Sequence, residues 1–429
     1  MKDGKINVHY LTRVEGHGNI YVDIEGGQLK AYRWEIPEAP RFFEAMVRGQ
    51  SYMDVAHITS RICGICSIGH TLAALQAVEN ALGVRPSEQT LLLRKLILHG
   101  ETVQSHILHA GYLAAPDFLG APSVVPLVDT HKEVVLTIIR VHRLANEWSA
   151  LIGGRTTHPI NAVVNGWTRI PTEEELVDLR QRLEAGLVDA QALVDVFSTL
   201  PIPDFTRDTE YIALQHPDEY AFYEGEIVST DGGAVKPAAY RDRLIEFIVP
   251  YSTAKRARSD HRSGYAVGAL ARFNNNYEQL SPLAKKAAET LGLQPVNCNP
   301  FMNTVAQVIE IVHALEDSLS LIDQLLERGL REEDRTVEVK AGTGVGAVEV
   351  PRGLLIHEYT FDDQGLVTDA DLVIPTNQNH QNIEDDMGVL VPQIIDQPQE
   401  EIRLTLEMLV RAYDPCISCS THMLRVNWR

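Results

Sequence analysis

Two short segments with the pattern C-x-x-C lie near opposite ends of the chain, and they restrict its fold more than any other feature. The first is Arg61-Ile62-Cys63-Gly64-Ile65-Cys66-Ser67-Ile68-Gly69-His70, and the second is Asp414-Pro415-Cys416-Ile417-Ser418-Cys419-Ser420-Thr421-His422. One such pair brings two sulfurs within reach of a single metal ion, and two pairs supply four soft thiolate ligands. They read as one metal site. A zinc ribbon holds its pairs roughly 15 to 20 residues apart, whereas Cys416 follows Cys66 by 350 positions. A large chain must fold before the pairs meet, which places the site in the core of a big protein. Four structural zinc ligands remain the simplest competing reading of the cysteines alone.

Length alone, at 429 residues, suggests about three domains. No repeat, low-complexity segment or clear linker divides it, so we expect one domain over 1–429, with 423–429 a short C-terminal tail. A hydrophobic content of 45% supports a large core. The net charge of −20 argues against nucleic acid and against an anionic membrane surface, which call for basic patches. A protein partner fits better. Four of the five cysteines belong to the two pairs and only Cys298 is left over, so a disulfide framework is excluded and a reducing compartment is expected. There is no run of about 18 apolar residues and no signal peptide at the N-terminus, so no membrane span is expected.

Along the chain, Ile20, Val22 and Ile24, the turn Gly26-Gly27, and Tyr32, Trp34 and Ile36 read as strands of period two. Arg13 and Glu15 would share one face of such a strand, and an ion pair between them is their ordinary structural reading. Ile68, Leu72, Leu75, Val78 and Leu82 recur at helical spacing up to Gly83, which mounts the first cysteine pair at a helix start. Pro86-Ser87 opens a second long helix towards Pro116, a third runs from about Val128 to Ile152, and Thr172 with Glu175 forms a capping box for the next. His99, His106 and His109 share a broad face of the second helix and read as hydrogen-bonded core histidines. Residues 200–280 carry mixed signals. A helix over about Asn303 to Leu326 is followed by the charged connection 331–335. Gly342-Thr343-Gly344-Val345-Gly346 precedes an extended stretch instead of a helix, so it is no dinucleotide fingerprint. A last helix from about Glu400 to Tyr413 delivers the second cysteine pair.

R-x-C-G-x-C with D-P-C-x-x-C-x-x-H at the C-terminal end resembles the large, catalytic subunit of the nickel-iron hydrogenases. Arg13-Val14-Glu15-Gly16-His17, Arg41-Phe42-Phe43-Glu44, Pro351-Arg352-Gly353 and Val373-Ile374-Pro375-Thr376 extend the likeness from residue 13 to residue 422. The resemblance is nearest to the soluble, cytoplasmic, multisubunit type. It implies a mixed α/β, predominantly α-helical fold with long central helices and peripheral strands in the N-terminal region and the C-terminal half. It implies reversible heterolytic oxidation of dihydrogen to two protons and two electrons. All four cysteines would bind nickel, with Cys63 and Cys416 terminal and Cys66 and Cys419 bridging to an iron that carries carbon monoxide and cyanide. Four thiolates and two cyanides against two divalent metals leave about −2 to bury, which requires a partner charge.

Arg352 matches the arginine over the metals, Thr376 a hydroxyl beside a cyanide, and Asp117 and Asp414 acidic positions near the site. The Cys416 thiolate would take the proton and Glu15 would relay it. Glu44, the carbonyl of Leu372 and His422 match positions around a magnesium ion. With one cysteine left, the chain cannot hold an iron-sulfur cluster by four thiolates, so clusters and any flavin belong to partner subunits. Expected partners are an iron-sulfur small subunit, further diaphorase or electron-transfer subunits, and maturation proteins. Electrons would pass to a soluble acceptor such as NAD(P) or ferredoxin, with bifurcation as one route. A hydrogen-sensing regulatory subunit would use the same centre at low turnover. Many relatives are cut after the histidine matching His422, whereas this sequence continues to Arg429.

Overall fold

The computed structural model describes residues 4–421. Over them the architecture is mixed α/β and mainly helical, with about 48% helix. Three antiparallel strands come first: β1 (Gly4–Val8), β2 (Asn19–Glu25) and β3 (Gln28–Glu35), paired in that order. Ile20, Val22 and Ile24 alternate into the core. Gly26 and Gly27, at φ 59° and 72°, make the two-residue hairpin turn that needs left-handed backbone at both positions.

Long helices form the centre. The first, α1 (Ser67–Leu82), ends at left-handed Gly83 and carries the first cysteine pair. It is followed by α2 (Glu88–Ile107), whose cap Ser87 accepts the Thr90 N–H, and by α3 (Lys132–Gly153), stopped by left-handed Gly154. The capping box of Thr172 and Glu175 starts α4 (Glu173–Phe197), and α5 (Met302–Arg328) ends at Gly329. Helices α2 and α4 each pack against both α3 and α5, closing a ring of four around their apolar stripes. Among the described residues, no helix is long and apolar enough to cross a membrane.

The C-terminal half adds the antiparallel sheet β4 (Gly342–Val350), β5 (Gly353–Phe361) and β6 (Val367–Val373), then α6 (Pro375–Ile394) and α7 (Gln399–Ala412). The glycine run of β4 explains how α1 is held. A Cβ on Gly342 would meet Ala81 O at 2.4 Å, on Gly344 Ala77 O at 2.1 Å, and on Gly346 Ala73 O at 2.1 Å. Two residues of strand advance about 6.8 Å and four residues of helix about 6 Å, so the bare strand face matches the alanine row step for step. Helix backbone lies directly on strand backbone. The motif is a packing device, which agrees with its reading as extended chain.

Several expectations change. Arg13 and Glu15 are not on a strand: Arg13 is left-handed at φ 60° within an irregular loop, and the two residues pair with different partners. The second helix changes winding at 108–114 to a π-type turn before a short helix at Ala115–Phe118. The third is interrupted at His131, after a short helical turn at Leu127–Thr130. The middle of the chain forms two small sheets, Ile212–Gln215 with Glu226–Ser229 and Ala234–Val235, and Leu244–Phe247 with Arg256–Ser259. Helix α6 escapes a search for apolar periodicity because Asn377, Gln378, Asn379, His380 and Asn382 are buried. The side chains of Gln378, Asn379, His380 and Asn382 bond to Leu354 O, Val267, Trp34 and Tyr413, so polar stitching leads and the apolar stripe of Ile383, Met387, Leu390 and Val391 begins only afterwards.

Gly344→Ala is expected to lower stability by about 1–3 kcal/mol or more, the cost of an overpacked core. The midpoint of denaturant unfolding reads it, and an unchanged midpoint would show that α1 can lift off β4 freely.

Candidate metal centre

The first cysteine loop leaves a 3₁₀ turn at Ser60–Ile62 and enters α1. Its backbone folds around one sulfur, with Ile65 N and Cys66 N donating to Cys63 Sγ at 3.3 and 3.1 Å. Such a nest of N–H groups favours a thiolate. The second loop follows α7 through Asp414, left-handed at φ 50°, and ends in a 3₁₀ turn at Ser418–Thr421. The two loops meet in the core. Cys63 Sγ lies 3.5 Å from Cys416 Sγ, which lies 2.6 Å from Cys419 Sγ, and all four cysteines are buried. Two sets of donor atoms fall within 4.8 Å of one another: Cys63 with Cys416 and Cys419, and Cys66 with His70 and Cys419.

Residues far apart in the chain hold the second loop. Glu15 O accepts the Ile417 N–H at 2.9 Å, while the Glu15 carboxylate accepts the Ser418 N–H at 3.0 Å and also bonds the Ser418 hydroxyl. Gly16, at φ +85°, has no room for a side chain: a Cβ would stand 2.7 Å from Ile417 Cβ and 2.9 Å from Ser418 N. The Arg41 guanidinium donates to Ile62 O (2.8 Å) and Arg61 O (2.8 Å) of the first loop and to Ser418 O (3.2 Å) of the second, so one side chain clamps both. Thr376 Oγ1, at the start of α6, accepts the Cys416 N–H at 3.1 Å.

Arg352 occupies the tip of the β4–β5 hairpin, yet it is only 3% exposed. A turn arginine would ordinarily sit at the surface; this one turns inward. Its Nε and Nη2 donate to Asp414 O (2.7 Å) and Oδ1 (2.8 Å), and its Nη1 donates to Ser105 Oγ (3.2 Å) on α2. Gln307 donates to Asp414 Oδ2, and His109 bridges Gln307 Oε1 and Arg411 O. One turn before Ser105, the Glu101 carboxylate accepts the Ile68 and Gly69 N–H groups at 2.7 and 2.9 Å, satisfying two donors at the start of α1.

The electrostatics are those of a site built for cations. Burial pushes the Cys63 thiol up, but hydrogen bonds from Cys416, Cys419 and Cys66 outweigh it and hold Cys63 well below the usual thiol range. Cys416 is pushed well up by its sulfur neighbours and by burial, and burial raises Cys419 to about 11. With protein groups alone, one sulfur ionises readily and its neighbours resist. Burial works against the charge on Arg352, but Asp414 and the cysteine sulfurs keep it protonated. Burial lifts the Glu101 carboxyl well above its ordinary range, and it draws His70 down to about 4.

The remaining expected residues lie farther out. Asp117 bonds Arg13 and grips Arg411 at 2.7 and 2.9 Å, so its described partners are these arginines, and Ser105 stands where Arg352 meets α2. Through Arg411, whose carbonyl accepts the Asp414 N–H at 2.8 Å, Asp117 is linked to the second cysteine loop. Glu44 lies beside Leu372, accepting its N–H at 3.1 Å. Lys255 Nζ stands 3.3 Å from Glu44, 2.7 Å from Glu246 and 4.0 Å from Asp371. Burial raises Glu44, and Glu246 to about 7, despite that ammonium. The cluster has more carboxylates than its lysine neutralises, which suits a hard cation held by oxygen. His422 and the tail 423–429 lie outside the described residues.

Sequence reasoning gave no role to Arg41, Glu101, Ser105 or His70. Arg41 and His70 sit inside quoted motifs, so their positions were visible; Glu101 and Ser105 carry only a four-residue spacing on a helix, which has no chemical signature.

Comparison with known proteins agrees with this geometry. A family model described as nickel-dependent hydrogenase matches residues 41–135 and 215–422. The chain is 32% identical over 423 residues to the alpha chain of sulfhydrogenase 1 of Pyrococcus furiosus, covering 98% of each. It is 30% identical to a chain of the vhc F420-non-reducing hydrogenase of Methanococcus voltae, over 98% of this chain and 95% of that one. Among solved structures, an NAD+-reducing [NiFe]-hydrogenase in the H2-reduced state aligns with a TM-score of 0.88 at 27% identity, over 98% of this chain and 99% of that one.

Glu101→Leu removes both acceptors beneath α1 and is expected to cost about 1–3 kcal/mol for a buried donor left unpaired. Denaturant unfolding measures this; an unchanged unfolding free energy would mean that the two N–H groups find other partners.

Proposed function

This chain belongs to the nickel-dependent hydrogenase family and is a catalytic (alpha) subunit, an oxidoreductase acting on hydrogen; from that premise we propose that Cys63, Cys66, Cys416 and Cys419 hold a nickel-iron centre where dihydrogen is split reversibly. The observation that carries the reading is the meeting of four buried thiols beside one buried guanidinium. Soft sulfur suits nickel and iron, and sulfurs that resist ionising together call for metal charge. The centre, with carbon monoxide and cyanide on the iron, supplies the two-electron chemistry when bound.

The side chains divide the remaining work. Cys63, Cys66, Cys416 and Cys419 would hold the metals, with Cys66 and Cys419 the ones shared between nickel and iron; Cys419 belongs to both donor sets. Arg352 offsets the buried negative charge and excludes water, with Asp414 and Ser105 fixing its fork. Asp117 is a positioning residue acting through Arg411, whose carbonyl accepts the Asp414 N–H. Thr376 accepts from Cys416 N, which leaves its hydroxyl proton free to be offered to a cyanide on the iron when the centre is bound. As dihydrogen yields two protons and two electrons, the Cys416 sulfur would take each proton in turn. Glu15, locked to Ser418 in the same loop, carries that proton away, and Glu38, raised by burial and by the nearby Glu15 charge, stands as the next acceptor. Glu44, the Leu372 carbonyl and His422 hold magnesium, with Lys255 and Glu246 bordering it.

The two electrons leave through an iron-sulfur small subunit, because this chain has one cysteine beyond the four. Diaphorase or other electron-transfer subunits then deliver them to NAD(P) or ferredoxin, with bifurcation as one form of that delivery. The likeness to an NAD+-reducing enzyme supports such an acceptor. Maturation proteins install the centre, and the thiolate-rich site suits the cytoplasm. A hydrogen sensor or a structural zinc protein is not favoured, since the relatives are named as hydrogenases.

Protein purified with its native partners is expected to contain nickel and to show infrared stretches of carbon monoxide and cyanide; zinc without those bands would overturn the reading. Cys419→Ser should abolish them. Glu15→Gln should keep the bands while reducing hydrogen-deuterium exchange at least tenfold, and wild-type exchange would remove Glu15 from the proton route.

A further inference from the structure

A buried row of hydrogen bonds behind the sulfurs has no task in the mechanism above. His70, on the first turn of α1, is fully buried, and its Nε2 has no hydrogen-bond partner. Its Nδ1 lies 3.1 Å from His357 Nε2, a ring nitrogen of His70 lies within 4.8 Å of the Cys66 and Cys419 sulfurs, and Nε2 is the ring nitrogen left over for them. His357 is on β5, and its Nδ1 lies 2.7 Å from the Tyr359 hydroxyl, two residues along the same face of the strand. Both are fully buried.

A neutral imidazole has one N–H and one lone pair, so two rings in series can be filled in only two consistent ways. In one, the tyrosine donates to His357 Nδ1, both rings carry hydrogen on Nε2, and an N–H faces the sulfurs. In the other, every bond is reversed and a bare lone pair faces them. Thr59, whose hydroxyl proton goes to Val55 O, stands beside the phenol and makes the reversed order available too. A metal-bound thiolate is an acceptor only, so it selects the first.

We infer that Tyr359 is a positioning residue: by donating to His357 it fixes the tautomer of both rings and aims the His70 N–H at the Cys66 and Cys419 sulfurs. The inference rests on the reading of these sulfurs as bridging ligands. Burial pushes the Tyr359 hydroxyl well above its ordinary value, so the proton stays available for donation. A second layer of this kind commonly sets the orientation and donor strength of metal ligands.

The test is infrared spectroscopy of the complex purified with its native partners. Tyr359→Phe keeps the ring and loses the donor; a sulfur without its hydrogen bond passes more electron density to iron, so the carbon monoxide and cyanide stretches should shift to lower frequency at unchanged nickel content. His357→Leu, which breaks the row one link nearer the sulfurs, should shift them the same way and decides the matter if Tyr359→Phe fails to assemble. Bands present in the wild type and unmoved by the variants would overturn this inference alone. Their absence from the wild type would overturn the reading of the centre and this inference with it.

Discussion

Four sulfurs that must carry charge cannot share a water-free volume unless positive charge shares it with them. Much of the structure around residues 63–66 and 416–419 answers that constraint. Arg352 is drawn inward from a hairpin tip, and Asp414, Gln307, Ser105 and His109 are arranged so that its fork cannot swing away. Backbone N–H groups crowd Cys63, and the N-terminus of α1, with its partial positive charge, starts directly after Cys66. Beside that helix start, Glu101 accepts two N–H groups, and burial raises its carboxyl well above the ordinary range.

The site is also a junction of distant segments. Closing a flexible loop of 350 residues costs about 5 kcal/mol in chain entropy, a small sum beside the burial energy of a core this size. Precision costs more than closure. Arg41 ties both cysteine loops, Glu15 and Gly16 hold the second against the N-terminal region, and α6 presents Thr376. Each contact joins elements that are far apart in sequence, so the geometry of the sulfurs reports on the folding of nearly the whole chain.

What could be read from the sequence follows the same division. Elements with a local signal were legible: the α1 stripe ending at Gly83, the caps at Ser87 and Thr172, and the Gly26-Gly27 hairpin. So was the meeting of the two cysteine pairs, because paired sulfurs have distinctive chemistry and the structure buries all four. Legibility ended where partners are chosen in three dimensions. The partners of Asp117, Arg13 and Arg411, lie 104 and 294 positions away in the chain, and Arg13 with Glu15 mimicked a strand because two residues of spacing fit many backbones. The first half of helix α6 was hard to read since its buried residues there are largely amide and imidazole, whose value depends on hydrogen-bond partners; apolar ones follow only from Ile383 on.

The Arg41 clamp and the Glu15 grip imply an order of events in time. A ribosome adding roughly 5 to 20 residues each second delivers Cys419 somewhere near 20 to 70 seconds after Cys66. During that interval the bundle and the α1–β4 contact can already be in place, since neither uses residues beyond 350. The nascent protein therefore holds one of its two cysteine pairs in a socket whose last wall is missing. The wall arrives as the final stretch of the described chain, and the grips on it are what turn an open cleft into an enclosed one.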